Sequence, residues 1–129
     1  MADSSAPPGT LYGLGVGPGD PDLITVKALR ILRAVPLIAY PATLRGESMA
    51  RASVNGHLLG GQTELPLAID IHAGHGKNAP RYDRAARAIA SHLEAGRDVA
   101  VLCAGDPFFY GSFMYFFGRL AERWRTEVV

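Results

Sequence analysis

Residues 99–111 read Val-Ala-Val-Leu-Cys-Ala-Gly-Asp-Pro-Phe-Phe-Tyr-Gly. The continuously apolar run 99–103 predicts a strand covered on both faces, as in a parallel sheet packed between helices. Gly105-Asp106-Pro107 then turns the chain sharply, and an aromatic-rich segment follows. A strand that ends this way presents backbone, not bulky side chains, at the carboxyl edge of its sheet. In open α/β sheets small ligands bind at that edge. Residues 13–20, Gly-Leu-Gly-Val-Gly-Pro-Gly-Asp, form a second loop of this kind.

Working outward, residues 10–16 predict the first strand, with Gly13 and Gly15 marking close backbone neighbours. A helix is expected from about Asp22, capped by Asp22 with Pro21 before it, and stopped by Pro36. Leu23, Val26, Leu29, Ile31, Leu32 and Val35 supply its apolar positions. Residues 37–40 predict a second strand ended by Pro41. A helix is expected at 47–58, broken by Gly60-Gly61, and an edge or terminal strand at 63–67, limited by Pro66. Residues 69–79 read as a loop. Residues 80–95 give the clearest helix, with Pro80 at its start and Gly96 after its end. A helix over 112–123 and the opening of a strand at 126–129 complete the pattern. Strands alternating with helices predict an α/β fold: a mostly parallel sheet flanked by helices. Residues 1–9 read as a disordered leader, and 10–129 as one domain. A strand opening at the last residues reads as a piece of a longer protein.

The chain has 129 residues, 48% of them hydrophobic, and a net charge of +1. That composition favours a folded domain over disorder. Its charge is too small and too scattered for a non-specific nucleic-acid surface. No run approaches the roughly 20 apolar residues that span a bilayer, and residues 1–10 lack the apolar core of a signal peptide. Neither nucleic acid nor membrane is expected as a partner, and the expected compartment is the cytoplasm. One cysteine, Cys103, excludes an internal disulfide and a cysteine metal cluster. It reads as a small core residue, against the alternative of a reactive thiol beside a ligand.

Each motif has a bland reading beside the functional one. The first loop departs from the dinucleotide fingerprint, because Pro18 or Asp20 stands where its third glycine belongs. No Gly-Lys-Ser/Thr follows, so it is not a phosphate-binding P-loop. A glycine turn serving only tight packing remains open. His72 and His75 lack a third ligand within reach, and no metal site is expected. His57 and His92 are isolated and read as surface groups. Phe108, Phe109, Tyr110, Phe113, Tyr115, Phe116 and Phe117 either pack the core or an interface, or form a stacking wall for a flat ligand.

Residues 15–25 (Gly-Val-Gly-Pro-Gly-Asp-Pro-Asp-Leu-Ile-Thr) together with 105–111 (Gly-Asp-Pro-Phe-Phe-Tyr-Gly) resemble the tetrapyrrole methylase family. The longer run 100–115, with Tyr-Pro-Ala at 40–42 and Leu-Pro-Leu-Ala-Ile-Asp at 65–70, resembles its branch acting at C20 of precorrin-2 in cobalamin synthesis. The likeness spans Thr10 to the end and implies only the N-terminal domain of a two-domain fold, with the C-terminal domain absent. It implies S-adenosylmethionine as methyl donor, S-adenosylhomocysteine as product and precorrin-2 as substrate, in a homodimeric enzyme. The cofactor-contacting positions it implies are Pro18, Ala104, Gly105, Asp106 and Phe109. Ala104 departs from the acidic residue this branch tends to carry there. Pro41 replaces an aspartate of the uroporphyrinogen methyltransferases, which disfavours that assignment.

The residues suit such chemistry. Methyl transfer from a sulfonium is an in-line displacement with a neutral leaving group. It needs reactants held in line, worth about 7–11 kcal/mol, more than acid or base groups. No catalytic residue is assigned, which agrees with the absence of an evident triad. Either Asp20 or Asp106 orients the cofactor, or each bonds its own turn. Arg45, Arg51, Lys77 and Arg81 are candidates for holding substrate carboxylates. The alternative function is a non-catalytic packing module that binds no cofactor by itself.

Overall fold

The computed structural model describes residues 7–69, 75–105 and 113–129, without the side chains of His75 and Met114. Among these residues the strands are β1 (Leu11–Gly15), β2 (Leu37–Ala42), β3 (Thr63–Ala68), β4 (Val99–Cys103) and β5 (Thr126–Val128). The helices are α1 (Val26–Ala34), α2 (Met49–Ser53), α3 (His75–Glu94) and α4 (Phe113–Leu120). The strands form one sheet in the order β3-β2-β4-β1-β5. Every pairing is parallel, so all strands end at one rim.

The alternation of side chains across the sheet divides the core in two. Leu11, Leu37, Ala39, Val99, Val101 and Cys103 face α3 and α4, where Ile89, Leu93, Phe113 and Phe116 meet them. Leu14, Ile38, Tyr40, Ala100 and Leu102 face the opposite side, against Ala28 and Leu32 of α1 and Ala50 of α2. β4, between β2 and β1, is buried at every position. This is the covered, continuously apolar strand expected from 99–103. Gly13 is in the sheet because of a neighbour: a Cβ there would stand 2.6 Å from the Phe113 ring. Gly9 is also held, its amide donating to the Leu93 carbonyl at 2.8 Å.

Several boundaries differ from expectation; α4, expected to reach 123, closes at Leu120, and residues 121–123 form a turn. Asp22 does not cap a helix; its amide donates to the Asp20 carboxylate at 2.9 Å, and Pro21–Leu23 makes one 3-10 turn. Extended Ile24 separates that turn from α1, which Thr25 caps by accepting from the Ala28 amide at 3.1 Å. Pro41 does not end β2. The Ala42 carbonyl accepts from Ile69 on the β3 side, so the Pro41 nitrogen points the other way, where pairing to β4 has stopped at Ala39. α2 is shorter than 47–58, closing at Ser53 before a 3-10 turn at Asn55–His57. α3 begins at His75 instead of Pro80, which lies inside it. Inside the helix the proline removes one hydrogen bond, the one its position would make to the Gly76 carbonyl four residues earlier. Pro66 sits on edge strand β3, as expected; Thr63 and Ile69 donate toward β2, so Pro66 faces outward. Among the described residues no helix is long and apolar enough to cross a membrane.

Candidate functional site

The segment after β1 leads to α1 on one face of the sheet, and the segment after neighbouring β4 leads to α4 on the other. Chain diverging from adjacent parallel strands opens a crevice at their carboxyl ends. A cleft of about 430 Å³ lies there, lined by Gly15, Gly17, Leu23, Thr25 and Gly105, with Val128 and Val129 from the β5 side. Its size is within the range of small-molecule sites, roughly 300–1,000 Å³.

Both glycine loops reach this rim and touch. The Val16 amide donates to the Cys103 carbonyl at 2.8 Å, continuing the β1–β4 ladder. One step further, the Gly105 amide donates to the Gly17 carbonyl at 3.1 Å. Gly105 has φ +80°, and among the described residues nothing stands within 4 Å of where its Cβ would be. Gly17 has φ +87°, and a Cβ there would sit 3.0 Å from the Leu23 carbonyl oxygen. A left-handed backbone is what glycine supplies without strain. At Gly105 that leaves main chain lining the cleft.

Of the expected cofactor positions, Gly105 lines the cleft, Ala104 is its exposed neighbour, and Pro18 is exposed on the loop between Gly17 and Gly19. Asp106 and Phe109 lie outside the described residues, as do His72, Phe108 and Tyr110. Asp20 bonds the Asp22 amide of its own turn. Cys103 is buried in the core facing α3 and α4. The described aromatic residues Phe113 and Phe116 are fully buried, and Tyr115 packs on Tyr82 with ring centroids 4.7 Å apart. These residues serve the core. Sequence reading missed Thr25 and Leu23 as cleft residues because it placed both in the first turn of a helix. The tandem Asp20 and Thr25 caps were the available signal.

Among the candidate cations, Arg51 is engaged. Its Nε donates to Glu64 Oε1 at 2.7 Å and its Nη2 to Oε2 at 3.2 Å, while Tyr40 Oη donates to Oε1 at 2.9 Å. Arg51 first, then Tyr40, holds the Glu64 carboxyl below its usual range against the opposing effect of burial. Burial, reinforced by Glu64, pushes the Tyr40 hydroxyl up. Arg45 is exposed in the turn after β2, Lys77 is exposed in the first turn of α3, and Arg81 is half-buried further along that helix.

A smaller depression, about 230 Å³ between α3 and α4, includes Arg119 and Trp124 in its lining. Arg119 is committed there to Asp83 at 2.7 Å, and Arg123 lies over the Trp124 ring at 4.5 Å. Among the described residues no group of three or more His, Cys, Asp or Glu side chains is placed to hold a metal.

Residues 10–129 match the model of the family described as Tetrapyrrole (Corrin/Porphyrin) Methylases. The chain is 45% identical to a precorrin-2 C(20)-methyltransferase from a Sinorhizobium species, over 94% of this chain and 53% of that protein. It is 41% identical to the cobalamin biosynthesis protein CobIJ of Mycobacterium bovis, over 94% of this chain and 25% of that protein. Among solved structures, the cobalt precorrin-4 methyltransferase CbiF superposes with a TM-score of 0.67 at 27% identity, covering 93% of this chain and 44% of that one. The chain therefore spans a quarter to about half the length of these relatives.

Proposed function

The chain belongs to the tetrapyrrole methylase family, and on that premise we propose that residues 10–129 form the N-terminal half of a methyltransferase of cobalamin synthesis. Its donor is S-adenosylmethionine, the family's cofactor, and its acceptor is C20 of precorrin-2. Members of the same family act on other tetrapyrroles and at other carbons, among them a precorrin-4 C(11)-methyltransferase 35% identical to this chain. The C20 assignment is supported by the 45% identity to the precorrin-2 enzyme. Pro41 in place of the uroporphyrinogen-type aspartate supports it too.

One observation carries the donor site: the Gly105–Gly17 hydrogen bond holds two glycine-bearing main-chain segments together at the sheet rim, beside the cleft. Those segments and the cleft volume fit a cofactor recognised largely through backbone. Gly15, Gly17, Thr25 and Gly105 would hold it. When bound, it supplies an electrophilic methyl on a positively charged sulfur. The task left to this chain is alignment, and a rigid strand-end cradle suits that task. Arg45, Lys77 and Arg81 are the cations available for substrate carboxylates, whereas Arg51 is held by Glu64.

The test is incubation of the complete enzyme with precorrin-2 and S-adenosylmethionine carrying a ¹³C-labelled methyl. The expected product has its label at C20 by NMR. A label at another carbon overturns the C20 assignment, and no transfer to any tetrapyrrole overturns the methyltransferase reading. Partial coverage of the relatives keeps a second reading in play, that the 129-residue chain alone is a packing module. We expect weak or absent S-adenosylhomocysteine binding by that chain and tight binding once a C-terminal half is present.

A further inference from the structure

We propose that His57 is a positioning residue for the glycine loop of the cleft, an inference that rests on reading that cleft as the methyl-donor site. In the sequence His57 stands alone. In the structure the 3-10 turn at Asn55–His57 brings its ring to the first loop, where Nε2 donates to the Pro21 carbonyl at 2.7 Å. Its own backbone is anchored, because Arg33 Nε donates to the His57 carbonyl at 3.0 Å. Gln62, at the far end of the same connection, donates to the Leu32 and Val35 carbonyls at 2.7 and 2.6 Å. The connection between α2 and β3 is thus bound along α1, and His57 is the arm that reaches past the helix to the loop.

The tie runs on to the cleft by consecutive contacts. Pro21 opens the turn that Asp20 caps and Leu23 closes. The Leu23 carbonyl lies 3.0 Å from where a Cβ on Gly17 would be, and the Gly17 carbonyl accepts the Gly105 amide. Gly17 and Gly19 both have positive φ, so this loop has little intrinsic stiffness. A side chain 36 residues away, fixed to a helix, supplies stiffness from outside. Without it, the loop must be ordered when the cofactor binds, which weakens affinity without touching the reacting atoms.

The complete enzyme tests this with His57→Ala, His57→Gln and His57→Asn. S-adenosylhomocysteine affinity is read by calorimetry, and kcat and KM for S-adenosylmethionine from initial rates. The glutamine amide extends to the position of Nε2 and can donate to Pro21; the asparagine amide stops short. His57→Ala and His57→Asn are expected to weaken binding and raise KM about tenfold, with kcat within about twofold of the unaltered enzyme. His57→Gln is expected to recover most of the loss, with melting temperatures alike across the set. Unchanged affinity in His57→Ala, or His57→Gln binding no better than His57→Asn, overturns the inference while leaving the donor site standing. An unaltered enzyme that binds no S-adenosylhomocysteine overturns both.

Discussion

The Gly105 amide donates to the Gly17 carbonyl at 3.1 Å, which joins the loop leaving β4 to the loop leaving β1. The bond continues the ladder between those strands past its last residue pair, Gly15 and Cys103. It fixes the separation between Gly105, just past β4, and Gly17 in the loop after β1. A crevice whose walls are tied in this way is preformed.

Gly105→Ala should weaken the fold modestly. Its φ of +80° is a left-handed conformation that costs a side-chain-bearing residue about 1–2 kcal/mol. Among the described residues the added methyl meets nothing within 4 Å, so no steric loss adds to this. Urea denaturation of the complete protein should report a decrease of that size. A decrease several times larger would mean that the space beside Gly105 is closed.

Gly13→Ala should be more disruptive. The new methyl would lie 2.6 Å from Phe113 ring atoms that are fully buried. Overpacking of this kind costs typically about 1–3 kcal/mol. Pairing Gly13→Ala with Phe113→Leu should recover part of the loss; strict additivity of the two changes would contradict the contact.

Thr25 serves the helix and the cleft together. Thr25→Ala removes the acceptor for the Ala28 amide and should lower stability by about 1 kcal/mol. Thr25→Ser keeps the cap and should stay within a few tenths of the unaltered protein. Equal losses in thermal melts of the two variants would argue that the methyl, not the hydroxyl, carries the effect.

Stability should depend on pH through Glu64. Arg51 and Tyr40 hold its carboxyl below the ordinary value of 4.5. A depressed folded-state value favours the native form above the unfolded-state value, and the contribution is lost as pH falls through the folded-state value. The Glu64 side chain is 36% exposed, so solvent screening limits the effect to at most about 1 kcal/mol. Glu64→Gln should therefore be less stable than the unaltered protein near neutrality, and the difference should vanish in strong acid. A gap that persists unchanged at acid pH would contradict the ion pair.

Periodicity and turn chemistry make most of the architecture legible in the sequence. The run 99–103 is the central strand because uninterrupted apolar sequence suits a position covered on both faces. Pro66 marked an edge because its missing donor must face outward. The misreadings came from residues whose role depends on a neighbour in space. Pro41 reads as a strand end in the sequence, although it sits where β2 has lost its β4 partner. Asp22 reads as a cap in the sequence, whereas Asp20 and Thr25 are the capping residues. At the site, the two glycine loops were legible as loops. Their mutual hydrogen bond and the reach of His57 were not, because both join positions far apart in the chain. Arg51 looked like a substrate ligand until Glu64 was placed beside it by the β2–β3 pairing.

The most direct test is calorimetric titration of the complete enzyme and its Gly105→Val variant with S-adenosylhomocysteine. Backbone approach at Gly105 predicts saturable binding by the unaltered enzyme and its loss in the variant, with the fold largely retained by circular dichroism. Equal binding by the two proteins would contradict a donor site at this rim.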